Sequence, residues 1–322
     1  MTSLPSTMKA LRATRPSTSS FPVLAVEDVP VPSPGPNDLL LQIRPSAIQP
    51  ADLLNSQGGF PTTTFPRTLG KDFAGTVVSG PDHLHGKHVF GTSGATFSFT
   101  VDGAQAEYAV VPETGVAVMP GTLSFAQAAS VGTPFSTAAV ALRRAETGGE
   151  DVVMVLGASG AVGAAAMQIA RSMGCRTIGV GRHGADVDSV ADPLLLKAKE
   201  LTGGRGPDVV VDTVGDFALT GAALGVLAEK GRLAVITAPR QGSTEMAVDI
   251  KALYRRQVKI VGCNTAALSQ ESLAEMLGAM TAKFDSGELV APEEKQMTLL
   301  PIEKTVEAYE GKVKKAVIVF DE

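Results

Sequence analysis

Residues 152–173 read VVMVLGASGAVGAAAMQIARSM, and the way this stretch divides decides the fold. From Val152 to Ala170 it runs nineteen residues without a charge, close to the length of a bilayer-spanning helix. Its first part, VVMVL, is β-branched, its last part, AAAMQIA, is rich in alanine, and GASGAVG lies between them. A strand, a tight turn and a helix explain that division better than one membrane span. Val162, Ile169 and Met173 fall on one face of the predicted helix.

A glycine-rich turn that follows a strand and opens a helix is the context a dinucleotide fingerprint requires. The turn is Gly157, Ala158, Ser159, Gly160, Ala161, Val162 and Gly163. Gly160 lets the backbone approach a pyrophosphate, and Gly163 lets the helix pack closely. The helix N-terminus offers N–H groups and a positive dipole end to the phosphates. Ala158 stands where the usual pattern begins with glycine, preceded by Gly157.

Outward from this unit, strand and helix patterns alternate. CRTIGV (175–180), DVVVD (208–212), RLAVIT (232–237) and VKIVG (258–262) read as strands. DPLLLKAKEL (192–201) and FALTGAALGVLAEK (217–230) read as helices, as do LSFAQAASVG and TAAVALRRA before the turn. Continuously apolar strands alternating with helices imply a Rossmann-type, doubly wound parallel sheet. The first 120 residues differ: DLLLQI (38–43), GTVVSG (75–80), KHVFG (87–91) and EYAVVP (107–112) are short β-like runs between turn signals. A long helix (269–286) and a strand, KAVIVF (315–320), close the chain. The expected organisation is a β-rich catalytic domain from 1–124 and 266–322, and a nucleotide-binding domain over 125–265.

The composition, 44% apolar and 19% charged over 322 residues, is globular. A net charge of −5 with no basic stripe argues against nucleic acid as a partner. The two cysteines, Cys175 and Cys263, are too few for a disulfide framework or a cysteine zinc site, which suits a reducing cytoplasmic compartment. The N-terminus has no long apolar core for a secretory signal.

The second strand of the unit ends in Val180-Gly181-Arg182-His183. NAD-preferring enzymes place a carboxylate there, about 20 residues past the glycines, for the ribose 2′-hydroxyl. Here no carboxylate comes before Asp186. The planar fork of Arg182 suits a 2′-phosphate, Gly181 leaves room for it, and His183 assists when protonated. NADPH is the expected cofactor. Gly184-Ala185-Asp186 then follows at once, although a parallel crossover needs a dozen or more residues. The helix after this strand is therefore expected to be missing, with VDSV (187–190) a vestigial edge strand or a loop, and the adenosine side unusually open.

Ordered motifs cover nearly the whole chain: MKAL (8–11), QPAD (49–52), LGKDFAG (69–75), AEYAVVP (106–112), TGGRGPDVVVDTVG (202–215), GRLAVI (231–236) and GKVKKAVIV (311–319). In these the chain resembles the zinc-independent quinone oxidoreductases of the medium-chain dehydrogenase/reductase superfamily. The resemblance implies a Rossmann-type domain plus a GroES-like catalytic domain, and NADPH-dependent hydride transfer to quinones or α,β-unsaturated carbonyls. It also implies a start near Met8, leaving seven residues before it, too few for a transit peptide.

Zinc-dependent relatives place a cysteine where this chain has Gln49, and Gly-His-Glu where it has Gly70-Lys71-Asp72. No metal is expected, and the His83, His85, His88 cluster reads as a polar turn. By similarity, Gln49, Asp52, Phe60 and residues around Phe135 and Thr137 line the substrate pocket. Thr137 and Gly262-Cys263-Asn264 stand beside the nicotinamide, and Thr213, Val214, Ile236, Thr237 and Ala238 line the dinucleotide. Gln49 replaces the family's frequent asparagine, and Phe60 replaces a frequent tyrosine, which removes a tyrosine proton donor there. Lys71 either polarises a carbonyl or is a solvated lysine at a loop rim, and Asp52 and Asp72 either serve the chemistry or hold loops. Two other readings stay open: an enoyl-thioester reductase, and a non-catalytic NADPH-binding protein. The resemblance also implies a homodimer, for which a hydrophobic edge strand at 258–265 would offer the pairing surface.

Overall fold

The structure, a computed structural model, describes residues 4–17 and 21–320; the first three residues of the N-terminal lead lie outside it. The chain forms two compact units, residues 1–133 with 265–322 and residues 134–264.

The first unit opens with strands β1 (Thr7–Thr14), β2 (Val23–Pro30), β3 (Asp38–Ile43) and β4 (Pro45–Ala47), then helix α1 (Pro50–Ser56). Strands β5 (Arg67–Thr68), β6 (Phe73–Ser79), β7 (His88–Gly91), β8 (Tyr108–Pro112) and β9 (Ala117–Val118) follow. Five of them make an antiparallel sheet in the order β8-β3-β6-β7-β9, and β2-β1-β5 make a second. The inward sides of β3, β6 and β7 bury Leu39, Leu41, Phe73, Val77 and Val89 in one core with Phe97. Helix α1 and strand β2 have no counterpart in the sequence reading: α1 is one short turn-pair begun by Pro50 at its first position.

Helix α2 (Phe125–Arg144) is continuous, although the sequence suggested two runs. Ser124 and Gln127 cap it reciprocally: Gln127 N–H donates to Ser124 Oγ, and Ser124 N–H donates to Gln127 Oε1. Arg143 and Arg144 lie in its last turn, where cations suit the dipole. The unit boundary falls inside this helix, nine residues after the division expected at 124/125.

In the second unit, β10 (Val152–Leu156), α3 (Ala161–Ser172), β11 (Arg176–Gly181), β12 (Val187–Asp188), α4 (Leu196–Leu201), β13 (Val209–Asp212), α5 (Phe217–Val226), β14 (Arg232–Val235), α6 (Ile250–Arg255) and β15 (Lys259–Gly262) succeed one another. The six strands form one all-parallel sheet, β12-β11-β10-β13-β14-β15. Met154, Leu156, Ile178, Val180, Val210 and Leu233 build its core. Helix α3 buries Ala165, Ala166, Met167, Ile169 and Ala170. Met173 is exposed, so the buried stripe is shifted from the expected one.

Two helices are shorter than their sequence patterns. The 192–201 helix begins only at Leu196, because the Asp192 carboxylate accepts the Leu196 and Lys197 N–H groups and Leu195 is buried in a left-handed conformation. The 217–230 helix stops at Val226, where the chain straightens to bury Leu227 and bond Ala228 N–H to Pro207 O. The expected helix at 269–286 is two, α7 (Gln270–Gly278) and α8 (Thr281–Asp285), parted after Gly278. Strand β16 (Thr298–Pro301), α9 (Thr305–Tyr309) and β17 (Ala316–Val319) complete the first unit, with β16-β17-β4 forming its third sheet.

Between β11 and α4 there is no crossover helix. Residues 182–186 are a bend, and β12 is a two-residue edge strand paired with Val180 and Gly181. Asp186 stands in for the lost neighbour: its Oδ2 accepts the Gly179 N–H at 2.7 Å.

Candidate functional site

In the second unit, every predicted cofactor residue lies at or just beyond the C-terminal end of a parallel strand. Residues 157–163 follow β10, Gly181 ends β11 with Arg182 and His183 after it, and Thr213 and Val214 follow β13. Ile236, Thr237 and Ala238 follow β14, and Gly262 ends β15 ahead of Cys263 and Asn264. This is the edge at which open α/β sheets bind ligands, and β10 and β13 flank the point where strand order reverses.

The glycine turn has the shape a dinucleotide needs. Gly157 has φ +76°, and a Cβ there would meet Thr213 Oγ1 at 2.7 Å and Val214 Cγ2 at 2.8 Å. The tight-turn glycine is therefore Gly157, one position ahead of the usual start. A Cβ on Gly163 would meet the Gly157 carbonyl oxygen at 2.1 Å, so only glycine lets α3 begin so close to the turn. Ser159, Gly160 and Ala161 are exposed, and no side chain caps α3, whose first N–H groups are thus offered to a ligand. These residues fit a dinucleotide pyrophosphate.

Three further features shape this edge. Asp212, which the sequence reading passed over, is fully buried: Oδ1 accepts the Val214 and Gly215 N–H groups, and Oδ2 accepts the Thr220 hydroxyl. It locks the loop that carries Thr213 and Val214, while Thr213 Oγ1 donates to Leu156 O at 2.7 Å. Cys263 is half-buried; burial pushes its thiol pKa up, opposed by Arg144. Arg182 and His183 are exposed, and Arg182 forms no ion pair among the described residues.

The first unit gathers the other predicted residues. Asp52 is the third residue of α1, and its Oδ2 accepts the Gln49 N–H at 2.8 Å. The Gln49 side chain donates to Asp72 Oδ2 at 2.9 Å. Asp72 also accepts the Thr133 N–H at 2.9 Å and the Thr133 hydroxyl at 2.6 Å. Lys71, 5% exposed, holds its Nζ 4.8 Å from the Phe60 ring centre and 4.3 Å from that of Phe99. The two rings meet edge to face at 5.1 Å.

The solvated-rim reading of Lys71 is thereby corrected. Two aromatic rings lie against its ammonium, as a buried cation requires. Burial lowers its pKa, and Asp52 and Asp72 oppose that. Burial raises the Asp72 pKa against its Thr133, Thr92 and Gln49 donors. Burial pushes Asp52 up to about 7, with Lys71 opposing. Phe99 and Thr133 were not anticipated, because only the fold brings residues 28 and 62 positions beyond Lys71 against it and its neighbour Asp72. Thr137 lies on α2 in the second unit and is partly buried.

Two family models match the chain: the alcohol dehydrogenase GroES-like domain over residues 35–121 and the zinc-binding dehydrogenase domain over residues 161–282. A zinc-type alcohol dehydrogenase-like protein of Schizosaccharomyces pombe is 49% identical over 281 residues, covering 87% of this chain and 86% of the relative. A quinone oxidoreductase of Sus scrofa is 28% identical over 304 residues, covering 88% and 87%.

The chain belongs to the quinone oxidoreductase-like branch of the medium-chain dehydrogenase/reductase superfamily. An alcohol dehydrogenase superfamily protein from Novosphingobium aromaticivorans superposes with a TM-score of 0.83 at 26% identity, covering 98% of this chain and all of that one. It is thus an oxidoreductase of a superfamily that binds a nicotinamide cofactor. The zinc in its relatives' names meets a poor fit in this member. Among the described residues no three His, Cys, Asp or Glu side chains stand together as a metal would require. The place of a ligand is held by an ammonium that repels a second cation, and Asp72 is already engaged by Thr133 and Gln49. His83 instead faces Glu113 at 3.5 Å, and His88 packs edge to face on Phe125.

Proposed function

We propose that this chain is a zinc-independent, NADPH-dependent reductase of quinones and α,β-unsaturated carbonyl compounds. The observation that carries the reading is the Lys71 ammonium, buried beside Phe60 and Phe99. A dinucleotide held at the turn of residues 157–163 would supply a hydride, which would leave negative charge on an acceptor oxygen. A fixed ammonium in low-dielectric surroundings stabilises such an oxyanion and can protonate it. Asp72, held by Thr133 and Gln49, opposes the loss of the Lys71 charge on burial. The quinone oxidoreductases among the relatives support the same acceptor class. For the cofactor, exposed Arg182 offers its fork to a 2′-phosphate, while Asp186 is drawn back onto Gly179 and away from a ribose.

The test is oxidation of NADPH and NADH with 1,4-benzoquinone, cyclohexenone and crotonyl-CoA. Turnover of the first two acceptors with NADPH is expected, and Lys71→Met should lower kcat on cyclohexenone about a hundredfold with NADPH affinity unchanged. Strong preference for crotonyl-CoA would make the chain an enoyl-thioester reductase. Tight NADPH binding without turnover of any acceptor would make it a binding protein.

We also propose a homodimer through β15, the last strand of its sheet, on which Ile260 is 42% exposed. Light scattering should give twice the chain mass, and Ile260→Pro, which removes an N–H on the outer edge while the Lys259 and Cys263 N–H groups still donate inward to Gly231 O and Val235 O, should halve it.

A further inference from the structure

The rings against the Lys71 ammonium come from two separate loops, and one buried side chain ties both loops to α1. Asn55 sits in the last turn of that helix and is fully buried. Its Nδ2 donates to Ser98 O at 2.8 Å, and its Oδ1 accepts the Thr63 hydroxyl at 2.5 Å. A carbonyl oxygen only accepts, which fixes the end of the amide that faces Ser98. Thr63 lies three residues past Phe60, whose carbonyl accepts the Thr63 N–H at 3.1 Å, and Ser98 directly precedes Phe99. The loops also meet each other, with the Thr64 N–H donating to Phe99 O at 2.9 Å. Ser98 stands in the left-handed region at φ +69°. That conformation is strained for a residue with a side chain and persists only where its surroundings hold it. The Ser98 hydroxyl is buried with no hydrogen-bond partner among the described residues. The holding therefore falls to its backbone, through the Asn55 bond to its carbonyl and its own N–H to Val101 O at 2.8 Å.

We propose that Asn55 is a positioning residue of the Lys71 site: its amide fixes the Ser98 turn and the Thr63 loop to α1, and so holds the Phe60 and Phe99 rings on the ammonium. For its catalytic consequence the inference rests on the reductase reading above. Asn55 acts through the two rings and not on the acceptor. The helix to which it anchors them begins after Gln49, whose side chain donates to Asp72, the neighbour of Lys71 in the chain. One amide thus sets residues 55, 63 and 98 around a single buried charge. The ring centres stand 4.8 and 4.3 Å from Nζ, inside the roughly 6 Å over which a cation feels a ring face. A shift of either loop by an ångström or two weakens that contact and admits water. Water at the ammonium then screens its attraction for an acceptor oxyanion.

The experiment compares the full chain with Asn55→Ala, Thr63→Val, the double variant and Leu277→Ala, by two readouts. The first is the rate at which formaldehyde and cyanoborohydride methylate Lys71, followed by peptide mass spectrometry beside exposed Lys259. The second is kcat with cyclohexenone together with the KM for NADPH. Asn55→Ala should speed Lys71 methylation roughly tenfold, the change that one lost buried hydrogen bond makes to a local opening equilibrium, with Lys259 unchanged. It should lower kcat about tenfold with the KM for NADPH unchanged. Thr63→Val cuts one of the two bonds and should move both readouts the same way by roughly threefold. The double variant should match Asn55→Ala, because the shared bond is lost only once. Leu277, fully buried on α7, is the control: its Ala variant should lose stability while both readouts stay as in the full chain. Wild-type methylation of Lys71 in Asn55→Ala, or an equal rise in Leu277→Ala, would overturn the tether. Faster methylation with wild-type kcat would overturn the positioning role. Should Asn55→Ala fail to fold, Thr63→Val decides by the same criteria. If no acceptor is turned over by the full chain, the reductase reading falls, and the tether is decided by methylation alone.

Discussion

Asp186 Oδ2 lies 2.7 Å from the Gly179 nitrogen and accepts its N–H. That donor would otherwise face a third strand, so a side chain has replaced part of a sheet ladder where the crossover helix is absent. Asp188 extends the device by accepting the Val190 and Ala191 N–H groups with its Oδ1, and Ser189 N–H donates to Gly181 O.

Asp186→Ala should therefore leave the Gly179 N–H without its partner. The expected cost is about 1–3 kcal/mol of stability, read as a lower urea midpoint. The proposed preference for NADPH over NADH should persist, since Arg182 is untouched.

Arg182→Ala should remove the fork proposed to meet a 2′-phosphate. A charge-assisted bond of about 1.5–3 kcal/mol corresponds to a loss of roughly ten- to a hundredfold in the NADPH/NADH ratio of kcat/KM. An unchanged ratio would refute the cofactor assignment.

Gly163→Ala places a methyl group where the Gly157 carbonyl oxygen stands 2.1 Å away. Neither backbone can yield without moving α3 from the turn. Calorimetric titration should show NADPH binding lost or weakened by more than a hundredfold, consistent with the close approach this position exists to permit.

Stability should also carry a signature of Asp52, whose pKa rises from an ordinary 3.8 to about 7 in the folded protein. The folded state keeps a proton that the unfolded chain releases, so this contribution is fully present below about pH 4 and is lost as pH rises through about 7. Relative to Asp52→Asn, wild-type stability should fall by on the order of 2–4 kcal/mol between pH 4 and pH 8. Urea unfolding of both proteins across that range is the measurement.

Much of this was legible before any coordinates. The strand–turn–helix at 152–173, the alternating pattern after it and the missing helix past Arg182 are local facts of hydrophobic period, glycine spacing and loop length. The ends of elements were less legible, as at Leu195 and Leu227, where burial of one side chain overrode helix propensity.

By itself, then, the sequence determined a dinucleotide turn, the parallel sheet behind it and an arginine at the end of the second strand, because each rests on neighbours a few residues apart. Only the tertiary structure decided the character of Lys71. A lysine in a proline- and glycine-rich stretch reads as solvated until folding sets Phe60, Phe99, Asp52 and Asp72 around it. Charge, desolvation and aromatic contact depend on distances in space, and between residues 52 and 99 those distances exist only once the chain has folded.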